Sequence, residues 1–426
     1  MVFVIVITNL LSMLATTLYE VVVKMALKLD MVQAASLAVV VLFIGQKIKN
    51  KLAFLDRYCI PAPVIGGLIF AIITLILKVS NILIFDMDIT LQKLFMTVFF
   101  TTIGLTASLK LLKKGGKGVL IFLGISIILC VFQDIIGVTL AKTFGLNPLI
   151  GLSTASVPMV GGHGTAGAFG PIFEKAGAFG SNTVALASAT FGLVIGSIIG
   201  GPIGKRLIEK NNLSYPMKTI NSTTYDQIVA TKENNEKPLN YNNFMSAAAQ
   251  ILLAMGLGTI ISILLEKTGM TFPSYIGAMF AAAILRNISD STNAFKVHLD
   301  EVGVLGGISL SLFLSMALMG LKLWQLSALA LPLIVMLLSQ TILTGLFCYF
   351  ITFNAMGRDY DAAVMASGNC GFGMGATPNA MANMGAMTKK YGNSPKAFFI
   401  VPLVGSLFID FCNAGVITTF MNILGK

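Results

Sequence analysis

The sequence predicts an all-α polytopic membrane protein made of two inverted-topology repeats of five transmembrane helices, each with a glycine-rich re-entrant loop. Three observations predict it. Of 426 residues, 56% are hydrophobic and 11% charged, with a mean hydropathy of +0.86, which is far from a soluble globular composition. Apolar runs near the ~20 residues that a bilayer requires recur five times on each side of one polar stretch. Finally, two segments at matching places in the two halves are rich in glycine and too irregular for plain membrane helices. Backbone groups freed from helical bonding survive at membrane depth only when buried in protein or facing a water-filled cavity. Such a pair of broken segments points to a transporter binding site.

Residues 1–26 are an N-terminal extension. Its apolar stretch VFVIVITNLLSMLATTL at 2–18 is a candidate extra helix, an uncleaved signal-like start, or a segment upstream of the true translation start. The first repeat, 27–204, has apolar runs near 31–46, 60–77, 94–109, 118–141 and 182–204. Pro61 and Pro63 open its second run, where a first-turn proline is tolerated. Residues 205–243 form the one long hydrophilic connector. The second repeat, 244–426, has runs near 244–265, 272–285, 303–321, 326–353 and 397–421.

Matched residues relate the halves. Pro63, Gly67, Phe70 and Ala71 recur as Pro273, Gly277, Phe280 and Ala281 at an offset of 210, and Gly162-His163-Gly164 as Gly373-Met374-Gly375 at 211. Leu109-Lys110 recurs as Leu321-Lys322 at 212, and Gln133 as Gln340 at 207. Five spans is an odd number, so the second repeat enters from the opposite face and is inverted. With the connector cytoplasmic, 20 of the 29 Lys and Arg lie inside, which is the bias that orients membrane proteins. The 150–171 loop then dips from outside and the 361–387 loop from the cytoplasm, so that their tips can meet near the midplane.

In both loops glycines allow close backbone approach, and half-helix N-termini offer partial positive charge to an anion. The substrate-site candidates are Gly161, Gly162, His163, Gly164 and Thr165 in the first loop, Asn369, Gly371, Gly373, Gly375, Thr377 and Asn379 in the second, and Asp410. Unwound carbonyls with Ser, Thr and Asn oxygens suit Na+, and the candidates for it are Ser156, Thr165, Ser367, Thr377, Asn383, Asn413 and Asp410. The competing explanation is that the glycines serve tight helix packing. It fits Gly192, Gly196 and Gly200, which share a helix face, but Gly368, Gly371, Gly373, Gly375 and Pro378 leave little helix to pack. Asp134 and Asp410 lie inside apolar spans, where a carboxylate is a functional candidate by default. Asp410 and Asn413 share a face and could take an ammonium group or Na+, whereas a tie between helices would be the structural alternative. His163 reads as a positioning residue. No Lys or Arg sits mid-span, so an anion would be held by backbone dipoles, polar side chains and a co-bound cation.

Other classes fit poorly. The net charge of +11 goes with cytoplasmic loops, and without a basic stripe bearing aromatics no nucleic-acid partner is expected. The five cysteines are scattered without CxxC spacing, so neither a disulfide frame nor a metal centre follows. Cys370 is expected to face the binding site from the cytoplasm. An enzyme would need a nucleophile or an acid with a base, and His163 has no convincing partner. A channel would use identical loops around a pore axis, whereas these two loops differ.

The motifs GGHGTAGAFG, SLFLSMALMGLKLW followed by ALALP, AAVMASGNCGFGMGATPNAMANM and VPLVGSLFIDFCNAGVI resemble the bacterial sodium/glutamate symporter family, from about Leu29 to the C-terminus. The resemblance implies a cytoplasmic connector, Na+-driven glutamate uptake by alternating access, and a multi-pass protein of the bacterial inner membrane. It also implies a homodimer surrounded by lipid and working by an elevator motion, with no cofactor beyond the coupling ion. Symport of another dicarboxylate or a hydroxycarboxylate is the alternative of the same mechanism, and an ion channel the alternative from another class.

Overall fold

Ten long apolar runs leave the backbone no partner but itself, and among the described residues nine of them fall on one helix each and the last on a bent pair. The computed structural model describes residues 26–58, 60–213, 240–267, 272–326 and 329–424. The expectations for residues 1–25, and for the connector over 214–239, lie outside these.

The first half contains β1 (Ala26–Leu29), α1 (Met31–Lys51), α2 (Ala53–Arg57), α3 (Ala62–Val79), β2 (Ile84–Met87) and α4 (Thr90–Thr106). It continues with α5 (Leu109–Lys114), α6 (Gly116–Thr143), α7 (Pro148–Leu152), α8 (Ser156–Met159), α9 (Gly162–Lys175) and α10 (Ser181–Lys210). The second half has α11 (Tyr241–Glu266), α12 (Ser274–Thr292), α13 (Leu299–Met319) and α14 (Ala330–Ala355). It ends with α15 (Tyr360–Met374), α16 (Thr377–Tyr391), α17 (Pro395–Leu407) and α18 (Ile409–Leu424).

Among the described residues, seven helices are long and apolar enough to cross a membrane, and α17 with α18, bent by 48° at their break, makes an eighth. The chain is a polytopic helical membrane protein. Of the ten expected spans, α4 is short at 17 residues, and α12 carries the Arg286–Asp290 ion pair (3.2 Å) toward its end.

The helices sort into two bundles. In one, α1, α3 and α4 pack with α11, α12 and α13; in the other, α6 to α10 pack with α14 to α18. Contacts in the first bundle cross over, with α3 on α13 and α4 on α12. Within each half the first two long helices approach through glycine. A Cβ on Gly45 would lie 2.1 Å from the Ala62 carbonyl oxygen, and one on Gly258 would lie 2.3 Å from the Ala278 Cα. Such close crossings suit a medium where packing, not hydrophobic contrast, drives helix association. The outer helices α1 and α11 are only 22% buried, against 50% for α10 and 56% for α13. Their exposed Val40, Phe43, Leu252, Leu253 and Ile260 form the rim.

Two features differ from the sequence-based expectation. A short parallel pair joins Ala26–Leu29 to Ile84–Met87, tying the start of α1 to the loop before α4, and Asp30 caps α1 through a capping box with Gln33. More consequentially, the glycine-rich run 360–374 is one continuous 15-residue helix, and the break comes only at Gly375–Ala376. Glycine costs ~0.5–1 kcal/mol per site in a helix, and here that cost is offset by contact. A Cβ at Gly371 would lie 2.6 Å from the Asn379 carbonyl carbon, at Gly368 2.9 Å from Met384, and at Gly373 2.7 Å from Leu129. Gly192, Gly196 and Gly200 of α10 likewise abut Met374, Cys370 and Asn383, as the packing explanation predicts.

Candidate functional site

The break in each glycine-rich segment exposes a helix start, and the two starts meet. In the first, Gly161 precedes α9; the N–H groups of Gly162, His163 and Gly164, in its first turn, have no intrahelical partner. Gly162 has a φ of +58°, and a Cβ there would stand 3.3 Å from the Gly375 carbonyl oxygen of the other tip. In the second, Ala376 is extended and α16 begins with Thr377 and Pro378, where proline forfeits only an N–H that would be unpaired anyway.

Between the tips lies a cavity of about 440 Å³, within the roughly 300–1,000 Å³ usual for small-molecule sites. The second bundle supplies its chemistry: Gly161 to Thr165, Gly375 to Pro378, Ser406 and Asp410. The first bundle supplies an apolar wall of Phe99, Phe100, Ile103, Leu310 and Leu314. No Lys or Arg lines it among the described residues, as the sequence led us to expect for mid-span positions. A separate groove of about 530 Å³ along Leu109, Phe280, Ile284, Phe408 and Phe411 has no charged side chain among its lining residues and offers a charged ligand little.

Asp410 opens α18 directly after the kink at Phe408. It is half-buried, lines the cavity, and has no hydrogen-bond partner among the described residues. Burial without a partner is costly for a carboxylate, so the cavity side is where a partner would arrive. His163 is nearly buried and its Nε2 lies 3.0 Å from Thr190 Oγ1 on α10. That bond holds the first tip against α10.

Of the substrate-site candidates, Gly161, Gly162, His163, Gly164, Thr165, Gly375, Thr377 and Asp410 line this cavity. The others lie elsewhere. Asn369 is fully buried and donates to Thr352 Oγ1 at 2.8 Å. Asn379 donates to the Leu193 carbonyl oxygen (2.7 Å) and to Ser197 Oγ (2.8 Å), and Gly371 and Gly373 stand at helix contacts. Of the Na+ candidates, Thr165, Thr377 and Asp410 are at the cavity. Ser156 and Asn413 sit together behind the first tip, where Asn413 donates to the Ser156 carbonyl oxygen at 3.1 Å. Ser367 and Asn383 pair within the second segment, on α10. Cys370 is fully buried and does not line the cavity.

Sequence reasoning missed the apolar wall. Phe99 and Phe100 sit in a run of hydrophobic residues that nothing local distinguishes from lipid-facing ones. Ser406 was also missed, because its place between Gly405 and Asp410 gains meaning only from the kink at Phe408.

The family profile described as sodium/glutamate symporter matches residues 27–393. The sodium/glutamate symporter of Escherichia coli (strain K12) is 41% identical over 397 residues, covering 92% of this chain and 98% of its own length. That of Shigella flexneri gives the same figures. That of Haemophilus influenzae (strain ATCC 51907 / DSM 11121 / KW20 / Rd) is 38% identical over 391 residues, covering 90% and 95%.

The chain belongs to the sodium/glutamate symporter family. This is a family of transporters, and the chain is not an enzyme. The profile match ends before Asp410, so the structure and not the profile brings that carboxylate into the symporter's cavity.

Gly162→Ala tests the tip geometry. A left-handed φ costs a residue with a Cβ ~1–2 kcal/mol, and the new methyl also crowds Gly375. The variant is expected to fold and to bind ligand about tenfold more weakly, at ~1.4 kcal/mol per decade. Unchanged ligand affinity by equilibrium binding would show that the tips tolerate separation.

Proposed function

We propose that the chain is a Na+-coupled carrier of L-glutamate in the bacterial inner membrane, working by alternating access. The observation that carries this reading is the convergence of two helix N-termini and an unpartnered Asp410 on one cavity without a cationic side chain. Glutamate presents two carboxylates and one ammonium group. The starts of α9 and α16 suit the carboxylates, with Thr165 and Thr377 as hydroxyl donors, and Asp410 suits the ammonium. A dicarboxylate lacking the amino group would leave Asp410 unsatisfied, which favours an amino acid over the dicarboxylate alternative. Two unlike tips meeting on a confined cavity also suit a carrier better than a pore.

The same reading makes 150–171 and 361–387 re-entrant loops of two inverted five-helix repeats, with 205–243 cytoplasmic. It is supported by the matched order of elements in the two halves, by the crossed contacts α3 on α13 and α4 on α12, and by the paired glycine crossings at Gly45 and Gly258. An elevator motion follows if the bundle holding both tips and Asp410 slides along the wall formed by α4 and α13. The homodimer rests on family likeness alone.

The test is uptake of labelled glutamate into proteoliposomes with and without an inward Na+ gradient, with amino-free dicarboxylates as competitors. Gradient-driven uptake that these competitors do not inhibit is expected; uptake indifferent to Na+ would sink the reading. Energetics add a second expectation. Glutamate carries one net negative charge, and each charge crossing 100 mV is worth ~2.3 kcal/mol. At least two Na+ per glutamate would make the cycle run with a negative interior. Uptake should therefore accelerate when a potassium diffusion potential makes the lumen negative, and a rate indifferent to that potential would point to electroneutral coupling.

A further inference from the structure

We infer that one coupling Na+ binds behind the first tip, between Asp134, Ser156 and Asn413, at a site distinct from the substrate cavity. The inference rests on the proposed Na+ symport and assigns a carboxylate ligand to it.

The three residues come from three elements that meet at one backbone position. Asp134 Oδ1 on α6 accepts the Ser156 N–H at 3.0 Å, and Asn413 on α18 donates its side-chain N–H to the Ser156 carbonyl oxygen at 3.1 Å. All three side chains are at most 1% exposed. Each nonetheless has a buried oxygen with no partner: Asp134 Oδ2, Ser156 Oγ and Asn413 Oδ1. Buried polar atoms are nearly always satisfied, so three orphans on three hydrogen-bonded neighbours indicate a missing partner. All three are oxygens, which suits a hard cation. Asp134 has no ion pair with Lys, Arg or His among the described residues, and a lone buried carboxylate is costly unless its charge is met. One carboxylate balances one monovalent ion, whereas a divalent ion would leave net charge buried.

The other half provides an internal comparison. Ser367, at the offset of 211 that also relates Gly162 to Gly373, spends its Oγ on the Gly200 carbonyl oxygen at 2.9 Å. The place of Asp134 is taken there by Thr341, whose hydroxyl donates to the Leu337 carbonyl oxygen. That position is closed and uncharged, and the open oxygens of the second segment, Asn369 Oδ1 and Asn379 Oδ1, are amide oxygens with no carboxylate among them.

The placement also explains coupling. The Ser156 carbonyl oxygen accepts the N–H groups of Val160 and Gly161, each at 3.1 Å, so a cation held at Ser156 fixes the turn that aims the α9 N-terminus. Asn413 lies one helical turn after Asp410. An ion joining α6, α8 and α18 would therefore set both groups that we assign to the substrate, and glutamate would bind tightly only after Na+.

Ser156→Ala is the decisive variant, because the hydroxyl it deletes makes no hydrogen bond of normal geometry in the protein and lies only against the Asp134 carboxylate of the same site. Losing a buried, unsatisfied hydroxyl does not weaken a fold, so in choline chloride its thermal midpoint should equal or exceed that of the wild type. Sodium chloride should raise the wild-type midpoint. In Ser156→Ala the Na+ concentration giving half of that rise should increase about tenfold or more, as expected for a lost ligand. Asp134→Asn, which keeps an oxygen for the Ser156 N–H, should remove the part of the rise that this site supplies, leaving at most that of any other coupling Na+. Both variants responding to Na+ as the wild type does, in a wild type whose glutamate uptake is Na+-dependent, would overturn this site and leave the symport standing. A wild type with no Na+-dependent uptake would overturn both. A wild type stabilised by acid and not by Na+ would assign the orphan oxygen to a proton and overturn the site.

Discussion

Asp410→Asn is expected to raise the glutamate Kd by roughly 10- to 150-fold, the range corresponding to the ~1.5–3 kcal/mol of a hydrogen bond to a charged group. The thermal midpoint in the absence of ligand should hardly move. Both parts follow from the same observation, that the carboxylate opens the kinked α18, faces the cavity, and bonds to no protein group among the described residues. A group that ties helices together takes stability with it when removed; a group that waits for a ligand does not. The substitution should also change selectivity. With the negative charge gone, amino-free dicarboxylates no longer confront an unpaired carboxylate, so their affinity should hold or rise while that of glutamate falls. Isothermal titration in detergent, with the midpoint measured on the same samples, separates the outcomes. Unaltered glutamate affinity together with a depressed midpoint would make Asp410 a structural tie and remove the ammonium site.

Gly371→Ala is expected to be the most damaging small substitution in the second segment. A Cβ there would lie 2.6 Å from the Asn379 carbonyl carbon and 2.7 Å from the Ala380 nitrogen. Both are backbone atoms of α16, so no side chain can turn aside, and α15 and α16 must part. Overpacking a core ordinarily costs ~1–3 kcal/mol, and parting the arms also moves Gly375 and Thr377 at the tip. Folded protein recovered from membranes should fall severalfold, and the remainder should transport poorly. Gly385→Ala in α16 is the control, since a Cβ there meets nothing within 4 Å and alanine is favoured over glycine in a helix by ~0.5–1 kcal/mol. Size-exclusion profiles and thermal midpoints of the pair give the comparison. A Gly371→Ala protein that folds and transports as Gly385→Ala does would mean that the arms do not cross where the structure places them.

The helical membrane class was legible in the sequence, and so were the chain breaks on which the proposed site is built, because both depend on local rules. Membrane helices are read from run length and charge, since the bilayer penalises unpaired backbone whatever its neighbours are. The breaks at Gly161–Gly162 and Gly375–Pro378 were marked by glycine and proline, whose backbone constraints act within a residue or two. Asp410 stood out because a carboxylate in an apolar run needs a reason. What the sequence could not supply was which surface each of these residues meets. Glycine spacing is the same whether the backbone approaches a ligand or another helix, and only the packing shows that Gly371 and Gly373 face α16 and α6 while Gly162 and Gly375 face each other. Asn369, Asn379, Ser367 and Asn383 carried the right atoms for a ligand, but α10 and α14 lie against them and take up their donors. The aromatic wall of Phe99 and Phe100 was indistinguishable from a lipid-facing stretch until α4 was seen to close the cavity. Asp134 shows the limit most clearly. Its place in the chain made it a candidate with no partner, and the long-range meeting of α6, α8 and α18 gave it Ser156 and Asn413, because proximity between distant segments is decided by how helices pack and not by local sequence.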